Sequence, residues 1–186
     1  METSRSRGLF RPALQRFWVL PLALVFSAAD LPAQIDEYQL KAAFLYNFAK
    51  FVEWPPPAFG GQADPITICI VGQNPFGHTL EDAVVGKQVG GRPFLVREMA
   101  DAHTANGCQI AFISASERKH LRAVLDTLRP CNALTVGDTA GFAAQGGVIN
   151  LKLEGSTVRL EVNVAAAAEK NIHISSKLLG LAQIVK

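Results

Sequence analysis

Apolar residues recur along this chain with helical spacing, then as short unbroken runs, then in strict alternation, and each change of pattern marks a new kind of element. Leu40, Phe44, Leu45, Phe48, Phe51 and Val52 fall within roughly 140° of a helical wheel, with Gln39, Tyr46, Asn47, Lys50 and Glu53 on the opposite side. Asp36 is placed to cap that helix with Gln39 at its third position, and Ile35 with Leu40 can form a hydrophobic staple. Pro55, Pro56 and Pro57 end it, because proline lacks a donor and disfavours helix in its predecessor.

Unbroken runs follow. Ile66–Gly72 reads as a strand buried on both faces, Pro75–Val84 as a short helix, Arg92–Glu98 as a second strand and Cys108–Ser114 as a third. Ser116 is positioned to cap a helix whose Leu121, Val124, Leu125 and Leu128 recur at helical spacing. Asn132–Val136 predicts a fourth strand and Thr139–Ala144 a helical turn. Alternation comes next: Ile149, Leu151 and Leu153, then Val158, Leu160 and Val162, separated by Gly155-Ser156, predict a hairpin with a type II′ turn. That register pairs 153 with 158, 151 with 160 and 149 with 162, so one face is aliphatic and the other carries Asn150, Lys152, Arg159, Glu161 and Asn163. After an alanine-rich stretch, Ser175 or Ser176 caps a closing helix with Leu178, Leu181, Ala182 and Val185 on its inner stripe. The pattern predicts an α/β fold: a single compact domain, a mixed β-sheet of about six strands covered by helices, and a C-terminal β-hairpin and helix.

Charge and composition change the picture mainly at the front of the chain. Arg5, Arg7, Arg11 and Arg16 precede the apolar run Phe17–Ala29, and small residues follow. This is the form of a secretory signal peptide over residues 1–33, cleaved after Ala33 or after Ala29, leaving one domain at 34–186. A run of about thirteen apolar residues falls short of the roughly 20 that span a bilayer. No cysteine follows the run to carry a lipid anchor at that site. The expected product is soluble and exported to the periplasm. The net charge of +2 resides in the leader, because 14 Lys and Arg balance 14 Asp and Glu from Gln34 onward. A neutral domain without basic runs offers no electrostatic reason for a nucleic-acid partner.

Export makes disulfides permissible, and three cysteines allow at most one pair within the chain. Cys69 and Cys108 lie in strand-like runs joined by a short crossover, which makes Cys69–Cys108 the preferred bridge. Two separate buried thiols remain the alternative, and Cys131 is either free or replaces one of the pair.

The residues carry little catalytic chemistry. Gly137-Asp138-Thr139-Ala140-Gly141 lacks the lysine of a phosphate loop, and no nucleophile elbow occurs. His78, His103, His120 and His173 are scattered without metal-ligand spacing. The expectation is therefore no enzyme, no cofactor and no metal. The polar residues that stand out are Asn47, Lys50 and Glu53 with Trp54 on the first helix, a possible ligand or partner face, and the polar side of the hairpin. The latter is flat, rigid and mixed in charge, which suits protein contact.

In order, KAAFLYNFAKFVEWP, ICIVG, CQIAFIS, LTVGD, GFAAQGGVINL and RLEVNVAAAAEKNIHISSKLLGLA resemble the YfiR family of periplasmic regulators across residues 35–185. The resemblance implies a compact α/β repressor that binds the periplasmic sensor region of an inner-membrane diguanylate cyclase. It implies an outer-membrane lipoprotein that sequesters the repressor, a homodimer, and control of cyclic di-GMP and biofilm. Cys69 and Cys108 match a family disulfide, whereas Cys131 does not complete the second pair that some members carry. Glu161 and Ile149 fall where members contact the lipoprotein, beside Arg159 and Lys152. Of the basic residues near the C-terminus linked to aromatic ligands in the family, this chain has only His173 and Lys177. The second reading is a periplasmic small-molecule-binding module serving another membrane receptor, and an exported hydrolase is the third.

Overall fold

The computed structural model describes residues 37–155 and 157–185. The predicted leader, the Asp36 cap and the Ile35 staple lie outside these residues. Helix α1 (Glu37–Phe51) runs directly into β1 (Val52–Glu53), and the prolines form a single 3-10 turn at Pro56–Ala58. Then come β2 (Ile66–Val71), α2 (Thr79–Val84), β3 (Gln88–Val89), β4 (Arg92–Met99) and β5 (Ile110–Ile113). They are followed by α3 (Leu121–Leu128), β6 (Leu134–Gly137), β7 (Ile149–Glu154) and β8 (Thr157–Asn163). The chain finishes with α4 (Val164–Glu169), β9 (His173–Ile174), α5 (Ser176–Leu179) and β10 (Ala182–Val185).

The main sheet has eight strands in the order β10-β8-β7-β6-β5-β2-β4-β3, and β1 pairs with β9 in a separate two-stranded sheet. Its centre is parallel, and every residue of β2, β5 and β6 is buried, as a sheet covered on both faces requires. One face packs under α1 and α2 through Ile66, Ile68, Ile70, Phe112, Leu134 and Val136. The other packs under α3 through Val71, Ala111, Ile113, Leu121, Leu125 and Phe142. Alternation along β2 sends Cys69 to the α3 side, where Cys108 meets it with a Cα–Cα distance of 5.9 Å; the bridge is formed and Cys131 is free. Gly137 and Gly147 flank the ring of Phe142 so closely that a Cβ on either would lie inside it, which explains both glycines.

Four local readings are corrected. In α1 the buried stripe is Lys41, Ala42, Leu45, Phe48 and Ala49, turned toward the alanines, whose small side chains let the helix close on the sheet; Leu40, Phe44 and Phe51 lie half-buried beside it. Ser116 does not cap α3. Ser114 accepts from the Ser116 amide to cap a 3-10 turn at Ala115–Glu117, and the α-helix starts only at Leu121. The turn predicted at Thr139–Ala144 is a 3-10 turn at Ala143–Gln145. The closing helix stops at Leu179, capped by Ser175, and Ala182–Val185 is a strand parallel to β8. Leu181 therefore faces solvent instead of the core.

Candidate functional site

The hairpin forms in the register its alternation dictates: Ile149↔Val162, Leu151↔Leu160 and Leu153↔Val158 on the aliphatic side. Gly155 takes φ +63°, the left-handed backbone that such a turn needs at its first corner. On the polar side Asn150 lies opposite Glu161, and Lys152 opposite Arg159. Lys152 Nζ sits 2.9 Å from Glu154 Oε1 and 4.0 Å from Glu161 Oε1, while Arg159 Nε is 3.6 Å from Glu154 Oε2. The hydrogen bond with Glu154 raises the pKa of Lys152, and the same bond lowers that of Glu154. Alternating charges thus hold one another in place on an exposed surface.

This face is smaller than predicted. Asn150 is buried, donating to Glu161 Oε2 at 2.8 Å, and its Oδ1 is buried without a partner. Asn163 is buried as the cap of α4, accepting from the Ala166 amide and donating to Ala143 O. Glu161 keeps 17% of its side chain exposed, whereas Lys152 and Arg159 are open to solvent. Ile149 is fully buried on the aliphatic face beside Val162 of β8, so it presents no surface of its own. A groove of about 410 Å³ runs beside the hairpin, lined by Lys152, Glu154, Arg159 and Glu161 on one side and by Leu181 and Gln183 on the other.

The second predicted group is divided among three places. Lys50 donates to Asn47 Oδ1 at 3.0 Å and lies 4.1 Å from the centroid of the Tyr46 ring, which Lys87 also approaches at 4.5 Å. Glu53 stands opposite His173 where β1 pairs with β9. Trp54 is a packing lid, donating from Nε1 to Gln109 O at 2.9 Å with its ring edge-on to Phe59. Among the described residues no three His, Cys, Asp or Glu converge in a set that could hold a metal ion, and no helix is long and apolar enough to cross a membrane.

Two buried lysines escaped the sequence reading. Lys41, 2% exposed, pairs with Glu37 one turn before it and, at 2.5 Å, with Asp138 in the loop after β6, itself 4% exposed. Tyr38 donates to the same carboxylate at 3.3 Å. Burial pulls the Lys41 pKa down, but the bonds to Asp138 and Glu37 outweigh it and hold it above the ordinary lysine value. Burial and the neighbouring Asp138 charge raise Tyr38. The Glu37–Lys41 spacing was the one available signal. Lys170 donates to Leu128 O at 2.6 Å, Cys131 O at 3.1 Å and Arg129 O at 3.3 Å, closing the C-terminal end of α3, and burial holds its pKa below the ordinary value.

One solved structure agrees with this architecture. No curated protein matches the chain. A conserved domain protein from Vibrio cholerae O1 biovar El Tor superposes with a TM-score of 0.56 at 11% identity, over 81% of this chain. The chain spans 60% of the length of that structure, and the likeness is one of fold. The ABC domain in complex with L-Trp from Streptococcus pneumonia matches with a TM-score of 0.48 at 11% identity, over 64% of this chain and 55% of that one. The model of the YfiR/HmsC-like family matches residues 38–183, nearly the whole described domain, and the chain belongs to that family.

Proposed function

We propose that this protein is a periplasmic, non-enzymatic regulator that restrains an inner-membrane diguanylate cyclase by binding its periplasmic sensor region, so lowering cyclic di-GMP and biofilm formation. Membership of the YfiR/HmsC-like family over residues 38–183 is the observation that carries this reading. In this reading residues 1–33 are the cleaved signal peptide, residues 34–186 are the exported regulator, and an outer-membrane lipoprotein relieves inhibition by sequestering it. The active form is a homodimer. The polar side of the hairpin, with Glu161, Arg159 and Lys152, is the proposed contact for the lipoprotein. Support comes from its rigidity: two hydrogen-bonded strands and a chain of ion pairs present charges with a reduced ordering cost on binding.

Deleting the gene in its native host should raise cellular cyclic di-GMP and biofilm mass; an unchanged nucleotide level would remove the repressor reading. For the contact face, Glu161→Arg should weaken capture by the lipoprotein at least about tenfold, as expected for inverting a largely buried interfacial charge. Arg159→Glu, at an exposed position, serves as a companion that leaves the Asn150–Glu161 bond intact. If both variants fold and bind as the parent does, the hairpin face is not the contact.

A further inference from the structure

Four residues stand side by side across one half of the main sheet: Gly137 of β6, Asn150 of β7, Glu161 of β8 and Gln183 of β10. Burial falls along this row. The Phe142 ring occupies the place where a side chain on Gly137 would stand. Asn150 is 1% exposed, the Glu161 side chain 17%, and Gln183 is open to solvent.

Asn150 is the unusual member. Its Nδ2 donates to Glu161 Oε2 at 2.8 Å, and its buried Oδ1 has no partner among the described residues. An orphaned buried carbonyl is destabilising, and an apolar side chain of similar volume would avoid it. Stability therefore gives no account of an amide at this position. The hydrogen bond that its side chain does make goes to the carboxylate proposed as the contact, and it restrains an otherwise flexible side chain.

The other carboxylate oxygen is far less committed. Glu161 Oε1 lies 4.0 Å from Lys152 Nζ, at the limit of an ion pair, whereas Lys152 sits 2.9 Å from Glu154 Oε1. Arg159 turns to the same Glu154, at 3.6 Å. Both cations of the hairpin thus gather on Glu154, and Glu161 keeps Oε1 for a donor from outside.

We infer that Asn150 is the positioning residue of the hairpin contact: it holds Glu161 by Oε2 and so presents Oε1 to the lipoprotein in a fixed direction. This rests on the proposed sequestration reading and names what prepares that site. A carboxylate already held in one arrangement loses little side-chain freedom on association. The orphaned Asn150 carbonyl is then a local loss of stability retained for binding, the kind of broken rule that marks a functional position.

Titration calorimetry of the protein purified from the periplasm with the soluble domain of the lipoprotein, alongside thermal melts, tests it. Asn150→Leu should weaken capture roughly tenfold, as expected for loss of a hydrogen bond to a charged group, while the melting temperature stays unchanged or rises. A merely structural asparagine would instead lower the melting temperature and leave the affinity of the folded protein as it was. In a Glu161→Ala background, where no carboxylate remains to be positioned, the same substitution should change capture less than about twofold. Should the leucine variant fail to fold, Asn150→Ala makes the same comparison in both backgrounds. Equal losses in the two backgrounds, or undiminished capture by Asn150→Leu, would overturn the positioning role while leaving the Glu161 contact standing. Absence of capture by the unmodified protein would overturn the sequestration reading and this inference with it.

Discussion

Replacing Lys41 with methionine should destabilise the domain by about 3–5 kcal/mol, the usual cost of leaving one member of a buried ion pair without its partner. The substitution keeps most of the length of the side chain and removes the cation that, among the described residues, contacts Asp138. Asp138 would then remain in a site that is 4% exposed, with the Tyr38 hydroxyl as its remaining donor among the described residues and an Oδ1 without a partner among them. Urea denaturation should show a lower midpoint with an unchanged slope. The double variant Lys41→Met/Asp138→Leu should recover most of the loss, because a well-packed apolar pair avoids the desolvation that the ions incur. A loss below about 1 kcal/mol would mean that the pair is worth no more than one on the surface. The pH dependence has a definite sign. The folded pKa of Lys41 is raised, so its contribution is fully present below the ordinary lysine pKa and is lost as the pH climbs through the higher folded value. Lys41→Met should remove that alkaline component from the stability profile.

The disulfide is expected to matter to a similar extent. Cys69 and Cys108 are both buried on the α3 side of the sheet and close a loop with a sequence separation of 39. In the chain-entropy model such a closure contributes ~4 kcal/mol by restricting the unfolded chain. Cys69→Ala with Cys108→Ala should therefore lower the melting temperature by roughly 8–16 °C for a domain of this size. Non-reducing peptide mapping of the parent should recover the two cysteines as one linked species, and the variant should be insensitive to reductant. If the parent melts at the same temperature with and without reductant, the bridge contributes nothing. Cys131 is free, its sulfur facing Asn106 at 3.6 Å.

How much of this was legible in advance depended on the range of the interaction. The hairpin register was readable because alternation and a Gly-Ser corner specify it within fifteen residues, and a slip by one would turn Leu151 and Leu160 outward. The parallel strands were readable as elements because burial on both faces demands unbroken apolar runs. The Cys69–Cys108 bridge followed from the adjacency of two such runs, and the structure has it. By contrast, Leu178, Leu181, Ala182 and Val185 are spaced as a helix face, yet the last four residues described prefer the open edge of β8, a partner that no local pattern announces. The hairpin's polar face shrank for the same reason: Asn163 looked like a surface residue until α4 and Ala143 arrived to use both ends of its amide.

The amino-acid sequence by itself determined the family, the first helix, the central strands and the hairpin register, and it favoured the Cys69–Cys108 pairing, since each rests on short-range periodicity or on the order of recognisable segments. Only the tertiary structure decided which side of α1 is buried, why a lysine lies in the core, and which surface is left open. Lys41 is buried because Asp138 comes to it from 97 residues away, and β10 is an edge because nothing else in the described chain lies beyond it. Those are properties of how distant segments meet, and the free energy that settles them arises only when they do.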